Sequence, residues 1–222
     1  MSRTAAAEPA RTTDPVRAPR LRADATRNRE RIILAAREAF VEHGADAPLD
    51  EIAKRAGVGN ATLYRNFPDR SALIREVALL VKNRILAAAE AATSEGVGPF
   101  DALQRFAHAA VEEQVGALCP IFSNHVDPFD PALMEARERL ATAVGGLMER
   151  AREAGELRAD VDHGDLFVAI SQLTRPLPGT SCELLDGFVH RHLQLFLDGL
   201  RAPARSTLPG RAATFEDFQP HH

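Results

Sequence analysis

The chain of 222 residues has no tryptophan, one tyrosine, three methionines and two cysteines. Aromatic residues make up only 5% of it. With Ala, Leu, Arg and Glu abundant, that scarcity disfavours strands and favours helices. Cys119 and Cys182 are too few for a disulfide framework and match no zinc spacing, so they read as reduced, partly buried thiols. His108, His125, His163 and His190 fall into no HxxxH or HExxH pattern, and no metal or other cofactor is expected. GxSxG, P-loop and dinucleotide fingerprints are missing, so the chain does not read as an enzyme. No uncharged apolar run reaches the roughly 18 residues of a membrane span. The N-terminus lacks the apolar segment of a secretory signal. The expected location is cytoplasmic, with no membrane partner.

What is present is unevenly distributed. Net charge is −4 over the whole chain. Residues 1–75 nevertheless carry 14 Lys and Arg against 10 Asp and Glu, while residues 76–222 carry 13 against 21. A basic first third on an acidic remainder points one end at a polyanion. Residues 1–23 hold five arginines among prolines, without apolar period, and read as a disordered basic arm. Asp24 can cap a helix ending at Gly44, with Ile32, Ile33, Ala36, Ala39 and Phe40 at helical spacing. Pro48 opens a second helix that closes at Gly57, and a short third helix stops at Pro68. Asp69 caps a long fourth helix to about Thr93. Further helices are predicted near 100–117, 131–154, 163–174 and 181–200, with an uncertain piece at 119–125. The tail 203–222 has no apolar period and reads as disordered. The chain is expected to be all-α.

The stretch LDEIAKRAGVGNATLYRNF (49–67) is a helix-turn-helix pattern. Small residues at Gly57 and Gly59 let two short helices approach. Leu63 and Phe67 face inward, and the second helix presents Asn60, Ala61, Thr62, Arg65 and Asn66 outward. The second helix of such a pair lies in the DNA major groove. Tyr64, flanked by both faces, can lay its ring on the sugar-phosphate wall and its hydroxyl on a phosphate.

Segment 24–75, through RNRERIILAAREAFVEHG and LDEIAKRAGVGNATLYRNFPDRSAL, resembles the DNA-binding domain of the TetR family of transcriptional regulators. The resemblance implies an N-terminal three-helix DNA-binding domain (24–70). A long helix would link it to a helical ligand-binding and dimerisation domain (71–202). It implies that Thr62, Arg65 and Asn66 touch base edges: arginine can read guanine, and asparagine adenine. Asn60 and Ala61 open the recognition helix. Tyr64 and Arg70 match phosphate-contacting positions, and Arg27 and Asn28 reach the backbone of the same groove. Many relatives have Ser or Thr before the second helix; here Ala47-Pro48-Leu49 stands instead, and only backbone N–H groups could meet phosphate there. The implied function is a repressor that binds a double-stranded DNA operator and responds to a small-molecule effector. The residues leave one alternative, a helical interaction protein whose helix-turn-helix no longer binds DNA.

The C-terminal half is read from its faces. The last helix, ELLDGFVHRHLQLFLDGL, is apolar over more than one side, and so is DLFVAISQL before it. Two such helices from each of two chains make a four-helix homodimer interface, with Leu185, Phe188, Val189, His192 and Phe196 as candidates. An effector pocket is expected among Phe106, Phe122, His125, Met148, Phe167 and Gln172, an apolar set with a few polar groups. The prolines at 120, 128 and 131 mark a break in the helical pattern.

Overall fold

The computed structural model describes residues 17–176 and 182–218, with side chains for residues 24–176 and 187–218. Nine α-helices run through it: α1 (Arg17–His43), α2 (Leu49–Arg55), α3 (Asn60–Asn66), α4 (Arg70–Ala92), α5 (Pro99–Val111), α6 (Val115–His125), α7 (Pro131–Glu153), α8 (His163–Leu173) and α9 (Cys182–Leu200). Single 3-10 turns lie at Gly44–Asp46 and Phe215–Phe218. Among the described residues, the one extended pairing is an isolated antiparallel bridge between Leu157 and Arg201. The chain is all-α, with an N-terminal helix-turn-helix unit and a helical C-terminal unit.

Side-chain capping sets the starts of α4, α7 and α8. The Asp69 carboxylate accepts from Ala72 N at 2.8 Å to start α4. Asp130 accepts from Ala132 N and Leu133 N, each at 3.1 Å, to start α7, and Pro131 occupies the first turn where its missing N–H costs nothing. Asp162 and Asp165 form a reciprocal capping box at α8.

Three expectations need correction. First, α1 begins at Arg17, so the 1–23 arm is helical over its last seven residues. Pro19 falls in the first turn, where proline is tolerated, and Asp24 becomes an interior residue paired with Arg27. Second, the helix predicted over 100–117 is two helices. Gln114 takes a left-handed conformation (φ 51°) and separates α5 from α6, which runs on through Pro120. Third, the tail is ordered through Phe218. It crosses α7 and α8 as a strap, held by Arg158, whose guanidinium donates to Ser206 O at 2.7 Å and Gly199 O at 3.2 Å. Arg137 donates to Phe215 O, and Asp165 accepts from Ala213 N at 3.1 Å. Gly164 makes this crossing possible: a Cβ there would lie 2.2 Å from the Ala213 carbonyl oxygen. The strap lacks apolar periodicity because only two phenylalanines anchor it.

One continuous core joins the units. Ile32, Phe40, Ile52, Leu63, Phe67, Leu73 and Ile74 close the first, and Val77 and Val81 carry the same cluster along α4 to Phe100, Leu103, Leu118 and Leu147. Across the outside, Arg75 of α4 grips Asp130 with two hydrogen bonds of 2.7 and 3.0 Å. Arg37 of α1 donates to Glu112 O at 2.8 Å and pairs with Glu113 at 3.2 Å.

Candidate nucleic-acid interface and effector cavity

The second helix of the motif is built to show one face. Gly57 turns the chain at φ +64°, a left-handed conformation that favours glycine, and a Cβ there would strike Arg31 Nη2 at 2.3 Å. Arg31 Nη2 donates to Gly57 O at 3.3 Å and ties the turn to α1. Leu63 and Phe67 are buried at 1% and 2% exposure. The Arg29 guanidinium lies over the Phe67 ring at 5.0 Å and pairs with Glu76 at 2.9 Å, clamping α1 to α4 across the end of α3. Neither arginine stands out in the sequence from its neighbours.

The outward residues fall where the helical period puts them. Asn60, Ala61, Tyr64 and Arg65 are exposed, Thr62 and Asn66 are partly so, and Tyr64 is 50% exposed. Arg65 lies along its own helix, donating to Ala61 O at 3.1 Å and Thr62 Oγ1 at 3.0 Å. Asn66 donates to Thr62 O at 2.8 Å. These are surface bonds that a base edge or phosphate can replace at small cost. Asn60 is more committed, donating at 2.8 Å to Asp50 in the first turn of α2 and fixing the angle between the two helices. Arg27 is exposed in α1, with Asn28 partly buried beside it. Arg70 differs from its expected role. It is partly buried, and Nη1 donates to the carbonyls of Ala45 (2.6 Å) and Ala47 (2.7 Å), so this guanidinium nitrogen braces the turn ahead of α2.

In the C-terminal unit a cavity of about 480 Å³ opens between α4, α5, α6, α7, α8 and the strap. Its lining is mostly apolar, including Val81, Ile85, Phe106, Phe122, Leu140, Val144, Leu166, Phe167 and Ile170, with Phe215 and Phe218 closing it from the strap. Of the six residues expected there, Phe106, Phe122 and Phe167 line it; His125, Met148 and Gln172 do not. Met148 is 2% exposed and packs into the core one turn beyond Val144, which does reach the cavity. His125 ends α6 and faces solvent, and Gln172 sits on the outer face of α8.

The polar lining escaped the sequence reading: Lys82, Arg137, Cys119, Ser123 and His163. Burial pushes the Lys82 amine below its ordinary value, with Arg137 adding to the effect. Burial also lowers the Arg137 guanidinium and raises the Cys119 thiol, which Lys82 partly offsets. His163 accepts from Phe215 N at 3.2 Å through Nε2, so its Nδ1 carries the proton donated to Asp162. No signal within one helix separates Lys82 from a solvated lysine; only the tertiary approach of α6 and α7 does.

On α9, Leu193, Leu197 and Leu200 turn inward, while Phe188 and Leu195 are 51% and 61% exposed, with His192 between them. Val189 and Phe196 pack partly against the chain's own core, and the Leu185 side chain lies outside the described residues. Val168 of α8 is also exposed.

A family model described as bacterial regulatory proteins, tetR family, matches residues 32–77. A second, described as transcriptional regulator SbtR-like, C-terminal domain, matches residues 98–202. Among solved structures, the TetR transcriptional regulator SCO0520 from Streptomyces coelicolor is 31% identical with a TM-score of 0.62, over 79% of this chain and 99% of that one. A TetR transcription regulatory protein from Mycobacterium vanbaalenii is 34% identical with a TM-score of 0.55, over 82% and 99%. The TetR-like regulator LfrR from Mycobacterium smegmatis, solved with proflavine, shares the fold at 22% identity and a TM-score of 0.57, over 82% and 99%. No curated protein matched the chain.

Proposed function

Because the chain belongs to the TetR family of transcriptional regulators, we propose that it is a repressor that binds a near-palindromic operator as a homodimer and is modulated by a small molecule. The observation that carries this reading is the outward face of α3. Ala61, Tyr64 and Arg65 stand in solvent on a helix locked from behind by Leu63 and Phe67. Arg65 can fork to guanine O6 and N7, and Asn66 to adenine N6 and N7. Tyr64, Arg27 and Asn28 meet phosphate, which positions the helix without reading sequence.

Pairing follows from α9. The stripe Phe188, His192, Leu195 recurs at i, i+4, i+7 and is exposed, and with Val168 of α8 it supports a two-fold four-helix interface. Such a dimer sets its two recognition helices about 34–36 Å apart, or a multiple of that.

Effector coupling runs through two helices that wall the cavity. α4 begins four residues after α3 ends and lends Val81, Lys82 and Ile85 to the lining. α6 lends Val115, Cys119 and Phe122, and the turn before it is held to α1 by Arg37. A ligand that spreads α4 from α6 favours a dimer whose recognition helices miss the half-site spacing, a shift between two populated shapes.

Selection of bound duplexes from a random DNA pool at two salt concentrations tests the reading. An enriched near-palindrome, bound more weakly at high salt because phosphate contacts release counterions, is the expected outcome. No enrichment at either salt would sink it and leave the helical interaction protein.

A further inference from the structure

The cavity is apolar on nearly all sides, yet it holds two cationic side chains from facing helices, Lys82 on α4 and Arg137 on α7. Among the described residues, no aspartate or glutamate lines it. Some other described arginines of this unit sit beside carboxylates, among them Arg75 with Asp130, Arg152 with Glu149 and Arg158 with Asp160. Cations withdrawn from water are costly unless paired. Among the described residues, the hydrogen-bond partner of Arg137 is the Phe215 carbonyl, a neutral acceptor that does not balance its charge. Lys82 has no carboxylate within ion-pairing distance among the described residues. Among the described residues, the cavity therefore joins two cationic side chains to an otherwise mostly apolar lining with no carboxylate in it.

We propose that the effector is an amphipathic organic anion, a carboxylate with an apolar chain or ring system. Its carboxylate sits between Lys82 and Arg137 and its body lies against Phe106, Phe122 and Phe167. This deepens the effector reading given above and rests on it. The polar end is fixed by the two cations, which supply charge-assisted hydrogen bonds stronger than neutral ones. The remaining contacts are shape and apolar area, which set chain length or ring size. Phe215 forms part of the wall, and its own carbonyl is bound by Arg137. A carboxylate drawing Arg137 toward itself therefore loosens the strap's hold at that point.

The test is calorimetric titration of the full chain with three probes of one length, decanoate, decanol and decylamine, and with 2-naphthoate to separate an alkyl from an aromatic source. At least one carboxylate is expected to bind about tenfold or more tighter than the neutral and cationic probes, the size of one charge-assisted contact. Lys82→Met should erase that preference while keeping the apolar stem. Lys82→Arg should keep it, which guards against a merely misfolded variant. The proposal is overturned if decanol or decylamine binds as tightly as the carboxylates, if neither carboxylate binds, or if Lys82→Met retains the preference. Operator binding is measured on the same preparation. If a carboxylate binds and the operator is held unchanged, the ligand class stands and the effector role falls. If the operator binds and no carboxylate does, the ligand class falls and the regulator stands.

Discussion

Arg65 rests along its own helix, bonded to Ala61 O and Thr62 Oγ1. An exposed side chain in that state can swing to a base at little cost. Arg65→Ala should relax one position in each half-site, costing about 1–3 kcal/mol of discrimination there, read by repeating the duplex selection. Tyr64→Ala should instead weaken all sequences alike. Asn60 behaves differently despite its place on the same helix, because its amide is spent on Asp50. The outward set Asn60, Ala61, Thr62, Tyr64, Arg65 and Asn66 was legible because a seven-residue helix anchored by buried Leu63 and by Phe67 just past its end leaves few ways to turn. Phe106, Phe122 and Phe167 were legible for the same periodic reason. Lys82 and Arg137 were not, since a cation on a helix looks the same in sequence whether water or another helix stands over it. The bracing bonds of Arg70 Nη1 to Ala45 O and Ala47 O were not legible, because a phosphate contact and an internal brace call for the same side chain.

Among elements, the junction of α4 with α7 responds to pH. The Arg75 fork holds the Asp130 carboxyl below its usual range, burial opposing and the α7 N–H groups assisting. A carboxylate with a depressed folded value adds stability that is complete above its unfolded value, about 3.9. That contribution is lost as pH falls through the folded value. Asp130→Asn keeps a capping side chain and removes the ion pair. It should cost no more than about 1 kcal/mol at neutral pH, because the pair is partly exposed, and the cost should be smaller near pH 3. Urea unfolding at the two pH values measures it; an equal cost at both would assign the effect to capping alone. The strap offers a second element-scale prediction. Gly164→Val drives side-chain atoms into the Ala213 backbone, so the strap should lift. Limited trypsin digestion should then cut at Arg205 and Arg211 faster than in the parent, while α3 continues to bind DNA. The helices were readable from caps and periods; the strap was not, because two anchors and a row of backbone contacts leave no repeating pattern.

At the scale of the molecule, charge and symmetry act together. The basic excess lies in residues 1–75 and the acidic excess beyond them, so the field of the molecule turns its helix-turn-helix end toward DNA and the other end away. In the homodimer proposed above, affinity depends on two such ends being joined. Leu195→Glu places a charge in the exposed stripe of α9. It should yield monomers by sedimentation and reduce full-operator affinity by roughly 10²–10⁴, the usual gain from linking two sites. Retention of a dimer would move the interface off α9. The strap also has a place in time. On the ribosome it emerges after every helix it crosses. Phe215 and Phe218 are therefore the last wall the cavity receives. Under the reading proposed above, a newly made chain can hold an effector only once Phe215 and Phe218 have come to rest.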